Sequence, residues 1–186
     1  MRRRTLLAAA TAALPTLSGC AALYGRIQTG SGQSHLHPAS ERYVRDGLTA
    51  ASDDDYRAWL FTDAPETDPI VAESDEGESL RTSIVGTDYG GSIGLLVEAR
   101  MPYDERFHVT PAHAIDPEWV RIADVTLPME RFPVDSDVGF ESETVVATAF
   151  VRYDVRTPPN GATVDVYPEG GERKGETVAK FDARRP

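Results

Sequence analysis

The chain has 186 residues, 30 of them acidic and 19 basic, for a formal charge of −11. So acidic a surface repels nucleic acid and anionic lipid, which excludes nucleic-acid binding as its activity. Cys20 is the single cysteine, so no internal disulfide forms, and cysteine-ligated zinc, blue-copper and iron–sulfur sites are excluded.

The first twenty residues carry an address. Arg2, Arg3 and Arg4 precede an apolar run from Leu6 to Leu17, which ends in Leu17-Ser18-Gly19-Cys20. A basic start, a short apolar middle and a small-residue exit form the layout of an export signal. Twin arginines there suggest the Tat route, which carries folded proteins. The exit resembles a lipobox, in which the Cys20 thiol takes a diacylglyceryl thioether and becomes the first mature residue. At about twelve residues the apolar run falls short of the roughly 20 that cross a bilayer core as a helix. Pro15 would also kink it. The expected location is therefore the outer face of the cell membrane, reached through the Tat machinery and held by the lipid on Cys20.

Composition then points to the solvent. Without Arg2, Arg3 and Arg4 the 19 basic residues fall to 16 against 30 acidic ones, a formal charge of −14. Only Lys174 and Lys180 are lysines; the other 17 basic residues are arginine. In molar salt the Debye length is about 3 Å, so the self-repulsion of such a surface is screened. The Met1-Arg-Arg-Arg-Thr-Leu-Leu7 opening, the Leu-Ser-Gly-Cys exit and the acidic, lysine-poor body together resemble the small Tat-exported lipoproteins of haloarchaea. Most of that group has no assigned activity. The motif covers residues 1–20 alone, so the resemblance implies an address and a solvent but brings no catalytic residues.

The expected organisation is a signal peptide over 1–19, a lipidated cysteine and flexible tether over 20–40, and one β domain over 41–186. The tether assignment rests on the glycines, serines and glutamines of 21–40; a coil of about 20 such residues spans near 25 Å. Residues 39–51 hold either a helix with Tyr43, Val44 and Leu48 inward or a first edge strand. Strand patterns follow at Tyr56–Thr62, Thr82–Val85, Ile93–Ala99, Phe107–Thr110, Val120–Leu127 (ending at Pro128), Glu143–Val155, Thr163–Tyr167 and Glu176–Phe181. In the longest, Val145, Ala147, Ala149, Val151 and Tyr153 share one face. The acidic stretch 63–80 reads as a solvated loop. Eight short β-branched runs divided by proline and glycine predict an all-β fold, an antiparallel and immunoglobulin-like β-sandwich.

Chemistry-bearing patterns are sparse. Gly90-Gly-Ser92-Ile-Gly94 fits the nucleophile-elbow spacing, with Asp104 or Asp116 and His113 following in chain order. The flanks read as β, which favours a glycine-rich hairpin turn instead. His35 and His37 lie in the tether, and His108 and His113 flank Thr110-Pro111; neither pair gives the three converging ligands a metal needs. Asp135, Asp137 and Glu141 around Gly139 resemble the opening of a calcium loop without its later ligands. The Asp53–Asp55 run reads as a charged boundary before the Tyr56 strand. Trp59 and Trp119 read as core, or as a ligand platform if exposed beside Tyr89 or Tyr103.

The expected function is a surface-anchored, non-catalytic lipoprotein that binds an envelope protein or ligand, with no cofactor and no metal. The alternative is a secreted hydrolase using Ser92 or a carboxylate and histidine site.

Overall fold

A computed structural model describes residues 27–112, 124–134, 142–169 and 179–183. The expected export segment, Cys20, His113, Asp116, Trp119 and the Asp135–Glu141 pattern lie outside them. The chain is mostly β, with two four-stranded sheets over a shared core. In chain order the described elements are β1 (Gln28–Pro38), β2 (Tyr56–Phe61), α1 (Asp75–Val85), β3 (Ser92–Pro102), β4 (Phe107–Pro111), β5 (Asp124–Pro133), β6 (Thr144–Asp154), β7 (Gly161–Tyr167) and β8 (Ala179–Ala183), with a 3-10 turn at Tyr103–Glu105.

The first sheet runs β1-β6-β3-β2, all antiparallel. The second runs β4-β5-β7-β8, and its β5–β7 pair is parallel, so this sheet is mixed where a purely antiparallel one was expected. Alternation decides the core. Val145, Ala147, Ala149, Val151 and Tyr153 of β6 do share the inward face, where they meet Leu95 and Val97 of β3, Leu127 of β5 and Val164 of β7. Each valine or leucine among them contributes about 1.5–3 kcal/mol by leaving water, and each alanine less.

Four local expectations are corrected. Gln28–Pro38 is not part of a tether: it pairs along β6 from Gln28↔Asp154 to Pro38↔Val145, and Ile27 just before it is buried. Its glycines and serines look like a linker, yet an edge strand needs apolar partners on only one face. The acidic stretch is not all loop, and Thr82–Val85 is not a strand. Ser74 accepts the Gly77 N–H at 3.2 Å as the N-cap of α1, and Asp75, Glu76 and Glu78 fill its first turn, where the helix dipole favours anions. Finally, Pro128 does not end β5. Its carbonyl accepts the Ala112 N–H at 3.1 Å, so its missing donor faces the end of β4 and the β7 ladder is spared.

The outer face of the first sheet is covered as well. Residues 39–55 form turns rather than a helix, with one isolated bridge, Val44↔Ile70. Tyr43, Val44 and Leu48 are nonetheless buried, as the helical reading required of them. Tyr43 and Val44, with Leu80 and Ile84 of α1, pack on Leu96 and Phe150, while Leu48 packs on Val146. Gln33 of β1 fastens α1 in place: its amide nitrogen donates to the Ser79 carbonyl at 3.0 Å and to Ser83 Oγ at 2.9 Å.

Candidate functional site

Strand register lines up His35, Thr148, Glu98 and Arg57 across the outer face of the first sheet. Beneath the cover, Thr148 links the buried side chains of His37 and Glu98, with Oγ1 3.0 Å from His37 Nε2 and 3.4 Å from Glu98 Oε1. Glu98 Oε2 accepts the Leu48 N–H at 2.5 Å. His37 Nδ1 lies 3.1 Å from the Pro38 carbonyl, an acceptor, which assigns a proton to that nitrogen.

Hydrogen-bond accounting then constrains the protons. Thr148 has one hydroxyl proton and stands between two potential acceptors. If it donates to His37 Nε2, the Thr148 oxygen must receive a proton from Glu98, so the acid is neutral. If it donates to Glu98, His37 Nε2 must carry a proton and the imidazole is cationic. The burial of both ends favours the neutral pair. Burial pushes Glu98 up to about 7, against the opposing pull of the Leu48 N–H, Thr148 and the charges of Arg57 and Arg42. Burial likewise pushes His37 down to about 4, opposed by the backbone of Pro38 and Glu41.

This network reaches the helix. The His37 ring stacks on Tyr43 at 3.8 Å and 2°. The Tyr43 hydroxyl accepts from Ser74 Oγ at 3.0 Å, the same oxygen that caps α1. His37, Thr148 and Glu98 are at most 1% exposed, so what they do chemically is hold one shared proton out of reach of solvent and tie the cover to the sheet.

Among the described residues an open cleft of about 520 Å³ lies at the edge strand β2, walled by Val44, Trp59, Phe61, Pro65 and Pro69. Its rim loop is well braced. Asp68 Oδ2 takes Arg81 Nε at 2.6 Å, its Oδ1 takes the Ile70 N–H at 2.9 Å, and its carbonyl takes Arg45. Trp59 is half-buried, so one part of the indole packs on the cover cluster and the rest faces the cleft. Tyr89 packs on the same cluster.

The other sequence candidates scatter. Ser92 opens β3 after a helix and a loop, the reverse of the strand-to-helix order of a nucleophile elbow. Its Oγ donates to Asp154 Oδ1 at 3.0 Å. Gly94 serves packing: a Cβ there would lie 2.7 Å from the Phe150 ring. Asp104 is beyond the other end of the eleven-residue β3, about 33 Å from Ser92 at strand rise, so these two do not meet. His35 and His37 stand on a strand, not in a tether, and His108 Nδ1 is 3.0 Å from Ser34 Oγ. Among the described residues no three His, Cys, Asp or Glu side chains gather to hold a metal. Asp54 pairs with Arg57 at 3.0 Å and Asp55 with Arg100 at 2.8 Å, so the Asp53–Asp55 boundary is fixed by ion pairs. Sequence reasoning missed Glu98 and Thr148. The available signal was a lone acid inside the apolar run Ile93–Ala99 of a strand.

Comparison with models of protein families, with curated proteins and with solved structures finds no match for this chain. Among the described residues no helix is long and apolar enough to cross a membrane.

Proposed function

We propose that this protein is a haloarchaeal-type lipoprotein, exported through the Tat machinery with the aid of Arg2, Arg3 and Arg4. On this reading it is held on the outer face of the cell membrane by a lipid on Cys20, in concentrated salt, and works by binding. The occupant of its site is an envelope protein or a ligand that inserts an apolar group beside Trp59. The observation that carries the binding part is the braced cleft at β2, where an indole face and two prolines meet solvent; such amphipathic aromatic surfaces are favoured anchors for partners. An immunoglobulin-like sandwich remains the proposed architecture. Two sheets over one core favour a sandwich, whereas the parallel β5–β7 pair departs from antibody-domain order.

Two experiments test the proposal. Cys20→Ser should release the protein to the medium or leave an unprocessed precursor, and undiminished membrane attachment would refute the lipid anchor. A photo-crosslinking side chain at Ala64, on the cleft rim, should give a discrete adduct in intact envelopes at native salt. Trp59→Ala should abolish that adduct; an adduct insensitive to Trp59 refutes the cleft as the binding site.

A further inference from the structure

We infer that the domain sits on its membrane by the corner where β1 and β6 meet, with the end around Tyr103–Glu105 turned outward, so that this corner is a lipid-facing surface. The inference rests on the proposed lipid at Cys20. Ile27 is 1% exposed within the core, so the chain is pinned there. Six residues separate it from Cys20. At no more than about 3.5 Å per residue, the lipidated residue stays within about 25 Å of Ile27. The opposite end of the domain lies a further strand length away, about 33 Å for the eleven residues of β3. A tether this short cannot turn the domain over.

Charge agrees with that placement. Gln28–Ser31 carries no charge, and the 155–160 connection that leaves the neighbouring β6 carries Arg156 and no acid. Asp154, between them, is engaged by Ser92 Oγ at 3.0 Å and Arg152 Nε at 3.5 Å. Asp63 and Asp88 belong to the β3–β2 side of this end, away from the exit of β1. The far end instead presents Asp53, Asp104, Glu105 and Glu143, all exposed, besides Asp54 and Asp55, which pair with Arg57 and Arg100. In a chain whose surface repels anionic lipid, the corner nearest the anchor is, among the described residues, the one poor in carboxylates.

Because the thioether consumes the native thiol, an engineered cysteine is the sole reactive one. Thr157→Cys at the corner and Asp104→Cys at the far end can each carry a fluorophore, with Asn160→Cys and Glu105→Cys as second positions should either fail to fold. The lipidated full-length protein is returned to phosphatidylglycerol vesicles in molar salt, with and without headgroup spin-labelled lipid, and flotation is scored in parallel. The expected result is loss of emission at 157 and 160 and none at 104 and 105. Equal quenching at both ends, or stronger quenching at 104, in protein that floats overturns the orientation and leaves the lipid anchor standing. Protein that does not float overturns the anchor itself, and the orientation with it.

Discussion

Gly47 lies directly over the Glu98 carboxylate: a Cβ on it would come within 2.6 Å of Oε2 and 2.7 Å of Oε1. The next residue, Leu48, donates its N–H to that same Oε2. Glycine is therefore what lets the main chain of the cover close on a buried acid.

Replacing Gly47 by alanine forces either the carboxylate off the Leu48 N–H or the 44–48 segment off the sheet. Gly47→Ala should destabilise the domain by about 1–3 kcal/mol, the range for overpacked interiors. Chemical denaturation at native salt measures it. An unchanged midpoint would show that the cover does not rest on Glu98.

The shared proton predicts an unusual pH profile. Glu98 binds its proton more tightly in the folded state than in the unfolded one. Its contribution is complete below the ordinary carboxylate range and is lost as pH rises through about 7. His37 has the opposite sense: its contribution is complete above the ordinary imidazole range and is lost as pH falls through about 4. Between those limits the two slopes oppose each other, so the parent protein should be nearly flat. Each single variant unmasks the other group. Glu98→Gln should lose stability as pH is lowered from about 6.5, and His37→Asn should lose it as pH is raised from about 4.5, each by at most about 1.4 kcal/mol per pH unit. Parallel profiles for both variants would dismiss the proton-sharing pair.

How much of this was legible depended on which physical signal each segment carries. The β6 alternation was plain because one face of that strand meets the core and the other meets the cover. The charged boundary at Asp53–Asp55 was readable because three consecutive acids stand directly before the Tyr56 strand. β1 was hidden because polar, glycine-bearing composition serves an edge strand and a linker equally well, and only the pairing with β6 separates them. α1 was hidden because its buried residues are few, Gly77, Leu80 and Ile84, in an acidic stretch; the Ser74 cap with acids behind it was the cue available. Glu98 and Thr148 became a site only through cross-strand register, which brings together residues fifty positions apart.

Ser92 separates the structural and hydrolytic readings of the Gly90–Gly94 stretch. Its hydroxyl ties the start of β3 to the end of β6 through Asp154. Ser92→Ala should cost about 1 kcal/mol, the worth of one such hydrogen bond, and leave the domain able to give the Ala64 adduct in envelopes. A nucleophilic serine would behave differently, because an active-site fluorophosphonate probe would label the parent protein and not the variant. Labelling of that kind would revive the hydrolase reading.

Salt is the remaining lever. The 30 carboxylate residues outnumber the 19 basic ones, and ion pairs such as Arg57–Asp54 and Arg100–Asp55 consume only a few. Dilution from molar salt lengthens the Debye length from about 3 Å to about 10 Å at 0.1 M. Carboxylates that were isolated from one another then repel across the surface, and self-repulsion opposes the compact state. The exposed acids of the far end, Asp104, Glu105 and Glu143, stand close together in the fold and should feel this first. Circular dichroism during dilution should therefore report loss of β structure below molar salt, reversed by added potassium or sodium chloride. A triple substitution of those acids by Asn, Gln and Gln should move the midpoint to lower salt. A spectrum unchanged in dilute buffer would mean that burial alone holds the two sheets, and that the acidic surface answers to something other than brine.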